Sequence, residues 1–347
     1  MRNALLQWSR ENPRSLPWKK DKNPYQIWVS EIILQQTRVE QGLPYYHRFM
    51  ERYPTVETLA ATSEDELMKI WEGLGYYRRA QHMLHSARII VEQYNGEFPS
   101  NYEDILRLKG VGDYTAAAVA SFAFDLPQVV VDGNVIRVVS RLFAIQDPVD
   151  TRATSQRIYD LANQLLDRND PSFFNQAIMD FGALQCRPAN PDCISCPLNF
   201  SCTSFQKGIV NLVPLKGKKK AKKIRYFYYI VPTLGNKLYV RKRDKADIWS
   251  GLFEFYLIET NNETSWSTVL KKIDLPIISS EGWTGRYKQT LSHQIIHAEF
   301  LPVELKDDRL IVERDDYTPI KRKKIRNFAF PKVIDCFLRD KAVILNL

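Results

Sequence analysis

The sequence predicts two domains, an all-helical one followed by an α+β one, and three observations carry that reading. Through the first 205 residues, apolar side chains recur at helical spacing, with Gly and Pro breaking the runs. Four cysteines then fall within seventeen residues, from Cys186 to Cys202. Beyond them lies a lysine-rich stretch, and after Tyr226 the pattern becomes one of short β-rich runs. At 347 residues the chain is also long for a single hydrophobic core. The expected boundaries are 1–208 for the helical domain, 209–225 for a linker and 226–347 for the second domain.

Taken in order, YQIWVSEIILQQT at 25–37 places apolar residues at 25, 28, 29, 32 and 33, one stripe of a helix. Asn23-Pro24 marks its start, since Pro suits the first helical position. Helical periods follow over 65–71, 78–94, 102–108 and 114–124, punctuated by Gly or Pro at 73, 75, 96, 99, 110 and 112. Further helices are expected over 134–142, 154–166 and 173–184, with short connections. The run PLKGKKKAKKIR at 214–225 has seven basic side chains and little to bury, so it reads as a tether, either solvated or lying along a polyanion. FYYIVPTL, KLYVRKR and GLFEFYLIE read as strands, with Gly235-Asn236 as a turn. LSHQIIHAEFLPVEL reads as one or two more strands, and 330–338 as a closing helix.

The formal charge of +9 makes a polyanionic partner plausible, because basic groups gain by displacing counterions from phosphates. No run of eighteen apolar residues occurs, so no membrane span is expected. The opening MRNALLQWSRENP does not read as a secretory leader, and an intracellular protein is expected.

In such a protein, clustered cysteines read as metal ligands rather than disulfides. Cys186-x6-Cys193-x2-Cys196-x5-Cys202 offers four thiolates, which suit tetrahedral zinc or an iron–sulfur cluster. Arg187, next to a ligand, is either presented to a phosphate or solvated. Cys336 stands apart and is expected to be a buried small hydrophobe.

Leu108-Lys109-Gly110-Val111-Gly112 lies between two helical segments. Its glycines permit a tight turn whose backbone N–H groups point outward together, and such a turn at a helix N-terminus binds phosphate without reading a base. Val111 is expected to pack between the helices.

Two carboxylates stand out. Glu31 interrupts the apolar face of its helix beside Val29, Ile32 and Ile33. A partly buried carboxyl has a raised pKa and can hold the proton a general acid needs, although a structural ion pair is an equal alternative. Asp132 follows three valines and precedes Gly133. It reads as an N-cap of helix 134–142, as an anion able to stabilise or attack a sugar cation, or as both. Spacing alone does not bring residues 31 and 132 together.

Six motifs do. LPW (16–18), WVSEIILQQTRV (28–39), WEGLGYYRRA (71–80), LKGVGDYTAAAV (108–119), VDGNVIRV (131–138) and the four cysteines together resemble the MutY family of adenine DNA glycosylases, in the endonuclease III (helix-hairpin-helix) superfamily. The resemblance implies a monofunctional hydrolase that removes adenine opposite 8-oxoguanine or guanine in double-stranded DNA, acting as a monomer with no membrane role. It makes Glu31 the acid that protonates adenine, chiefly at N7, and Asp132 the residue facing the deoxyribose C1′, through a transient covalent adduct. Tyr114 and Asn134 become positioning residues. Bifunctional relatives place a Schiff-base lysine where this chain has Tyr114, so strand cleavage is not expected. Gln36 and Tyr76 match residues that enter the duplex, and Lys109, Gly110, Val111, Gly112 and Arg187 fall on the DNA side. Trp18, Leu34 and Gln176 join the adenine pocket, where family members carry Glu or Gln at the last position. Cys186, Cys193, Cys196 and Cys202 would hold a structural [4Fe–4S] cluster.

The same resemblance makes the second domain Nudix-like, although the Nudix acidic motif is absent. Leu291-Ser292-His293 falls where the family usually has Phe-Ser-His, the loop that senses 8-oxoguanine. Ser292 and His293 are kept and an aromatic wedge is lost.

Overall fold

The computed structural model describes residues 1–217, 221–243, 247–280, 285–313, 316–342 and 345. It divides into two compact units, and the division does not follow the chain. The first comprises Met1–Ala61 and His85–Lys219, the second Thr62–Leu84 and Lys220–Leu347. A short piece of the N-terminal sequence therefore belongs with the C-terminal unit.

The first unit is helical. It holds α1 (Arg2–Glu11), α2 (Pro24–Leu34), α3 (Val39–Arg52) and α4 (Val56–Ala60). After α5 (Glu64–Trp71), which belongs to the second unit, α6 (Arg78–Tyr94) crosses the boundary. The first unit continues with α7 (Tyr102–Arg107), α8 (Asp113–Phe124), α9 (Gly133–Leu142), α10 (Arg152–Leu165), α11 (Pro171–Leu184) and α12 (Thr203–Gln206).

Side-chain caps set several of these helix starts. Asn23 accepts from the Gln26 N–H at 3.1 Å with Pro24 at the first position, and Asp170 caps α11 in the same way with Pro171. Helix α2 is buried almost all round, Trp28 and Val29 completely, so it is a central helix rather than an amphipathic one. It stops at Leu34, three residues short of the sequence expectation. Gln36 there takes a left-handed φ of 60°, which turns the chain away. Helix α8 is rich in alanine and packs closely on α2 and α7. A core of Leu5, Trp8, Val138, Val139, Ile158, Phe174 and Phe181 lies among α1, α9, α10 and α11, and Cys186, Cys196 and Cys202 pack against it. Among the described residues no helix is long and apolar enough to cross a membrane.

The second unit adds a sheet to α5. Its strands are β1 (Lys223–Leu234), β2 (Lys237–Lys242), β3 (Phe253–Glu254), β4 (Tyr256–Thr260), β5 (Ile277–Ser280), β6 (Gly285–Thr290), β7 (Gln294–Leu305) and β8 (Thr318–Lys321). The long strands β1 and β7 run parallel at the centre, with Tyr229 opposite Phe300. β1 pairs antiparallel with β2 and β4, β2 with β3 and β8, and β7 with β5 and β6. Short helices α13 (Trp266–Leu270) and α14 (Arg309–Glu313) precede the closing helix α15 (Lys332–Asp340). The Phe300 ring stacks on Phe337 of α15 at 4.1 Å and on Tyr229 at 5.1 Å. Phe300→Ala empties that stack and is expected to cost about 3–5 kcal/mol, read as a lower urea midpoint.

Three sequence expectations change here. Of the expected linker, Val149 N–H donates to the Leu215 carbonyl at 3.0 Å and Gly217 N–H to Asp150 Oδ1 at 3.0 Å, so its first part is tied to the helical unit. Its end already belongs to β1: Arg225 is buried, clamped by Asp247 and Glu259 and set over the Phe227 ring. Residues 218–220 lie outside the described residues. The run beginning at Leu291 is a turn followed by one strand rather than two, and Cys336 is half-buried rather than buried, with an Arg339 N–H 3.8 Å from its sulfur. Exposed α15 residues flank it, which is why a small side chain there is not enclosed.

Candidate active site

A cavity of about 890 Å³ opens in the first unit, and it gathers side chains from α2, α8, α9 and α11. Glu31, Tyr114, Asp132 and Asn134 all line it, as do Trp18, Leu34, Gln36 and Gln176. The topology thus places residues 31 and 132 at one site, which spacing could not do.

Glu31 is only 6% exposed, on the inner face of a central helix. Burial lifts its carboxyl to about 7, and the Asp132 charge adds to the rise. Tyr114 opposes it by donating its hydroxyl to Glu31 Oε2 at 2.7 Å, and the Lys19 charge opposes it as well. Near neutral pH the group is therefore poised between acid and anion. The Tyr114 phenol is itself raised by burial and by both carboxylates, so it remains a donor.

Asp132 occupies the N-cap of α9 and accepts from the Asn134 and Val135 N–H groups at 2.9 and 2.8 Å. The Asn134 amide donates to its second oxygen at 2.6 Å. Burial raises Asp132 too, but these donors and the Arg137 charge pull it back. Of the two carboxyls, Asp132 is the one whose surroundings favour the anion. A buried acid and a donor-bound anion in one cavity are the two groups that glycosidic bond cleavage requires.

Sequence reasoning missed the shell behind these residues. Arg137 donates to Asn134 Oδ1 at 2.8 Å, to the Gly182 carbonyl at 2.5 Å and to the Cys186 carbonyl at 2.8 Å. Arg141 donates to the Arg187 and Pro188 carbonyls at 2.7 and 3.1 Å and to Cys186 Sγ at 3.4 Å. The signal was present: 134, 137 and 141 share one face of α9, and two arginines on a buried face need partners. Gly182 was also missed. A Cβ there would stand 2.7 Å from Asn134 Cβ and 2.9 Å from its carbonyl, so α11 passes α9 at backbone contact. Arg137→Met leaves these acceptors unpaired and is expected to lower stability by about 2–4 kcal/mol in urea unfolding. Nor did the sequence show that Lys19 and Asp180, both lining the cavity, form an ion pair at 2.5 Å, with Arg14 at 3.6 Å.

Cys186, Cys193, Cys196 and Cys202 surround a second cavity whose other walls include Val138, Leu142, Phe181 and Leu198. Burial and neighbouring sulfurs push Cys193, Cys196 and Cys202 up, Cys196 to about 11, so four thiolates here need compensating positive charge. Among the described residues no group of three or more His, Cys, Asp or Glu is arranged to hold a metal ion. The sulfurs ring a space rather than converge on a point. Arg187 is exposed, donating to the Asn190 carbonyl at 3.3 Å.

The glycine turn joins α7 to α8. Gly110 takes φ 81°, Val111 is buried, and Gly112 caps α8 with Lys109 exposed beside it. Its backbone donors face outward at a helix N-terminus, the geometry of an anion site.

The second unit holds the remaining expected residues. Tyr76 is 46% exposed at a left-handed φ of 47°. Its hydroxyl hydrogen-bonds Ser292 Oγ in the turn between β6 and β7. That turn is closed by Leu291 N–H donating to the Gln294 carbonyl at 2.8 Å, and Ser292 and His293 are exposed on it.

Residues 29–164 match the HhH-GPD superfamily of base excision DNA repair proteins. The chain is similar to an adenine DNA glycosylase of Buchnera aphidicola subsp. Schizaphis graminum, 34% identical over 295 residues that cover 84% of each chain. A solved thermostable thymine-DNA glycosylase is 30% identical with a TM-score of 0.55, over 59% of this chain and 95% of that one. Endonuclease III in a non-covalent DNA complex is 25% identical with a TM-score of 0.52, over 60% of this chain and 96% of that one.

Proposed function

Because the chain belongs to the MutY family of adenine DNA glycosylases, we propose that it hydrolyses the N-glycosidic bond of adenine mispaired with 8-oxoguanine or guanine in duplex DNA. The observation that carries this reading is the Glu31–Tyr114 hydrogen bond at 2.7 Å in the cavity that Asp132 also lines. The flipped adenine enters between Trp18, Leu34 and Gln176. Glu31 gives its proton to the base, chiefly at N7, so that a neutral purine leaves. Asp132 faces C1′ and stabilises the cationic sugar, while Tyr114 and Asn134 hold the two carboxyls apart in role. Tyr114 has no amine, so a Schiff base and strand cleavage are not available at that position.

DNA is gripped through phosphate at Lys109–Gly112, with Arg187 on the same chain's cysteine loop as a further phosphate contact. Gln36 and Tyr76 enter the duplex as the adenine leaves the stack. The second unit, Nudix-like in this reading, uses Ser292 and His293 to recognise 8-oxoguanine. Four thiols ringing one space suit a [4Fe–4S] cluster better than a single ion. When bound, that cluster supplies a structural tie and no hydrolytic chemistry. The cavity draws on one chain only, which supports action as a monomer, inside the cell where the DNA is.

Single-turnover reaction with an 8-oxoG·A duplex, beside T·A and 8-oxoG·C controls, tests the proposal. Free adenine and an alkali-labile site only at the mispaired A are expected. No base release by folded protein would sink it.

A further inference from the structure

The wedge turn from Trp71 to Arg79 is unusual in its backbone. Gly73, Gly75 and Tyr76 all take left-handed φ, at 94°, 70° and 47°. For a tyrosine that conformation is sparsely populated, and it persists only where surrounding contacts over-determine it. Two ties are local: Trp71 Nε1 donates to the Gly75 carbonyl at 3.1 Å, and Gly73 N–H donates to the Tyr77 hydroxyl at 3.2 Å.

Arg79 supplies the rest. Its Nη2 donates to the Gly75 carbonyl at 3.2 Å and the Leu74 carbonyl at 3.4 Å. Its guanidinium carbon lies 5.5 Å from the Tyr76 ring centroid and 5.3 Å from that of Trp71. The head of this side chain thus reaches the wedge ring, the carbonyls before it and the tryptophan that anchors α5. Burial lowers Arg79 to about 10, so it stays charged at neutral pH and keeps its attraction to both rings.

We propose that Arg79 is a positioning residue for base release, holding the Tyr76 ring and its left-handed backbone in the attitude that enters the duplex. The inference rests on the reading of Tyr76 as a wedge. A planar fork that both stacks and donates is a property of arginine that lysine lacks. The side chain touches neither adenine nor sugar, so its effect passes through Tyr76.

The test is a double-mutant cycle on the full-length protein, with single-turnover release of adenine from an 8-oxoG·A duplex and thermal unfolding as readouts. Tyr76→Ala and Arg79→Met are each expected to slow release about tenfold, since misplacing a group remote from the chemistry has that order of effect. Together they are expected to be no slower than Tyr76→Ala alone. Arg79→Lys keeps charge and stem, and is expected to slow release by about threefold, vanishing in the Tyr76→Ala background. It serves as the second variant if Arg79→Met does not fold. A slow Tyr76→Ala beside full-rate Arg79→Met and Arg79→Lys overturns the inference alone. Equal slowing by an Arg79 variant with and without Tyr76 also overturns it, since Arg79 would then act elsewhere. A full rate for Tyr76→Ala overturns the wedge reading and this inference with it.

Discussion

Replacing Glu31 with Gln is expected to stop adenine release while making the protein more stable above pH 7. Loss of a positioned general acid costs about 10²–10⁴-fold in rate. In the parent protein the proton on Glu31 is held with a pKa near 7, so the acid limb of the rate should fall as pH rises through about 7. The stability effect has the opposite sign. Burial raises the folded-state pKa from 4.5 to about 7, so the stability linked to this proton is fully present below 4.5 and is lost as pH rises through 7. That difference corresponds to about 3 kcal/mol. Gln carries no charge to desolvate, and it escapes the loss. Melting temperatures at pH 5 and pH 8 check this: the variant should gain on its parent only at the higher pH. Equal gains at both would place the carboxylate in solvent.

Asp132→Asn should be the second large effect, and it separates two jobs of one side chain. Asn caps helices as well as Asp does, and its carbonyl oxygen can still accept from the Asn134 and Val135 N–H groups. Folding is expected to survive with little change in Tm. The anion facing the sugar is gone, and release should fall about 10²–10³-fold, as when a charge-stabilising group is removed elsewhere. Asp132→Ala removes cap and charge together, costing about 1 kcal/mol more in stability with a similar loss of rate. A near-normal rate in folded Asp132→Asn would end the case for the carboxylate as the cation's partner.

Much of this was legible in the sequence, for identifiable reasons. Glu31 sat on an apolar helix face, and only a central helix puts a carboxylate there, so burial and the raised proton affinity could be read from its neighbours. The cap at Asp132 and the two-glycine turn are local features, set by residues a few positions apart. The sheet was legible where strands were apolar, as in β1 and β7. It was missed at β6, where GRYKQT is half exposed and mostly polar. The shell of Arg137, Arg141, Gly182 and Asp180 was not legible, because each makes its contacts with segments about 45 to 160 residues away. The left-handed backbone at Gln36 and Tyr76 was equally hidden, since neither residue type announces it.

The division of the chain into units has a practical corollary. Residues 62–84 sit early in the sequence, yet Lys69 donates to the Phe328 carbonyl at 3.2 Å and Glu72 accepts from the Phe330 N–H at 3.1 Å. A Cβ on Gly251 would meet Gln81 at 2.8 Å and Glu64 at 3.0 Å, so this insert is fitted to the strand region without spare room. Cutting the gene at the lysine-rich stretch therefore does not excise a module. It strips a partner from a segment that stays behind, and the fragment carries a raw face where α5 had been covered. Anyone dissecting the protein should expect the stump to be stickier than the whole.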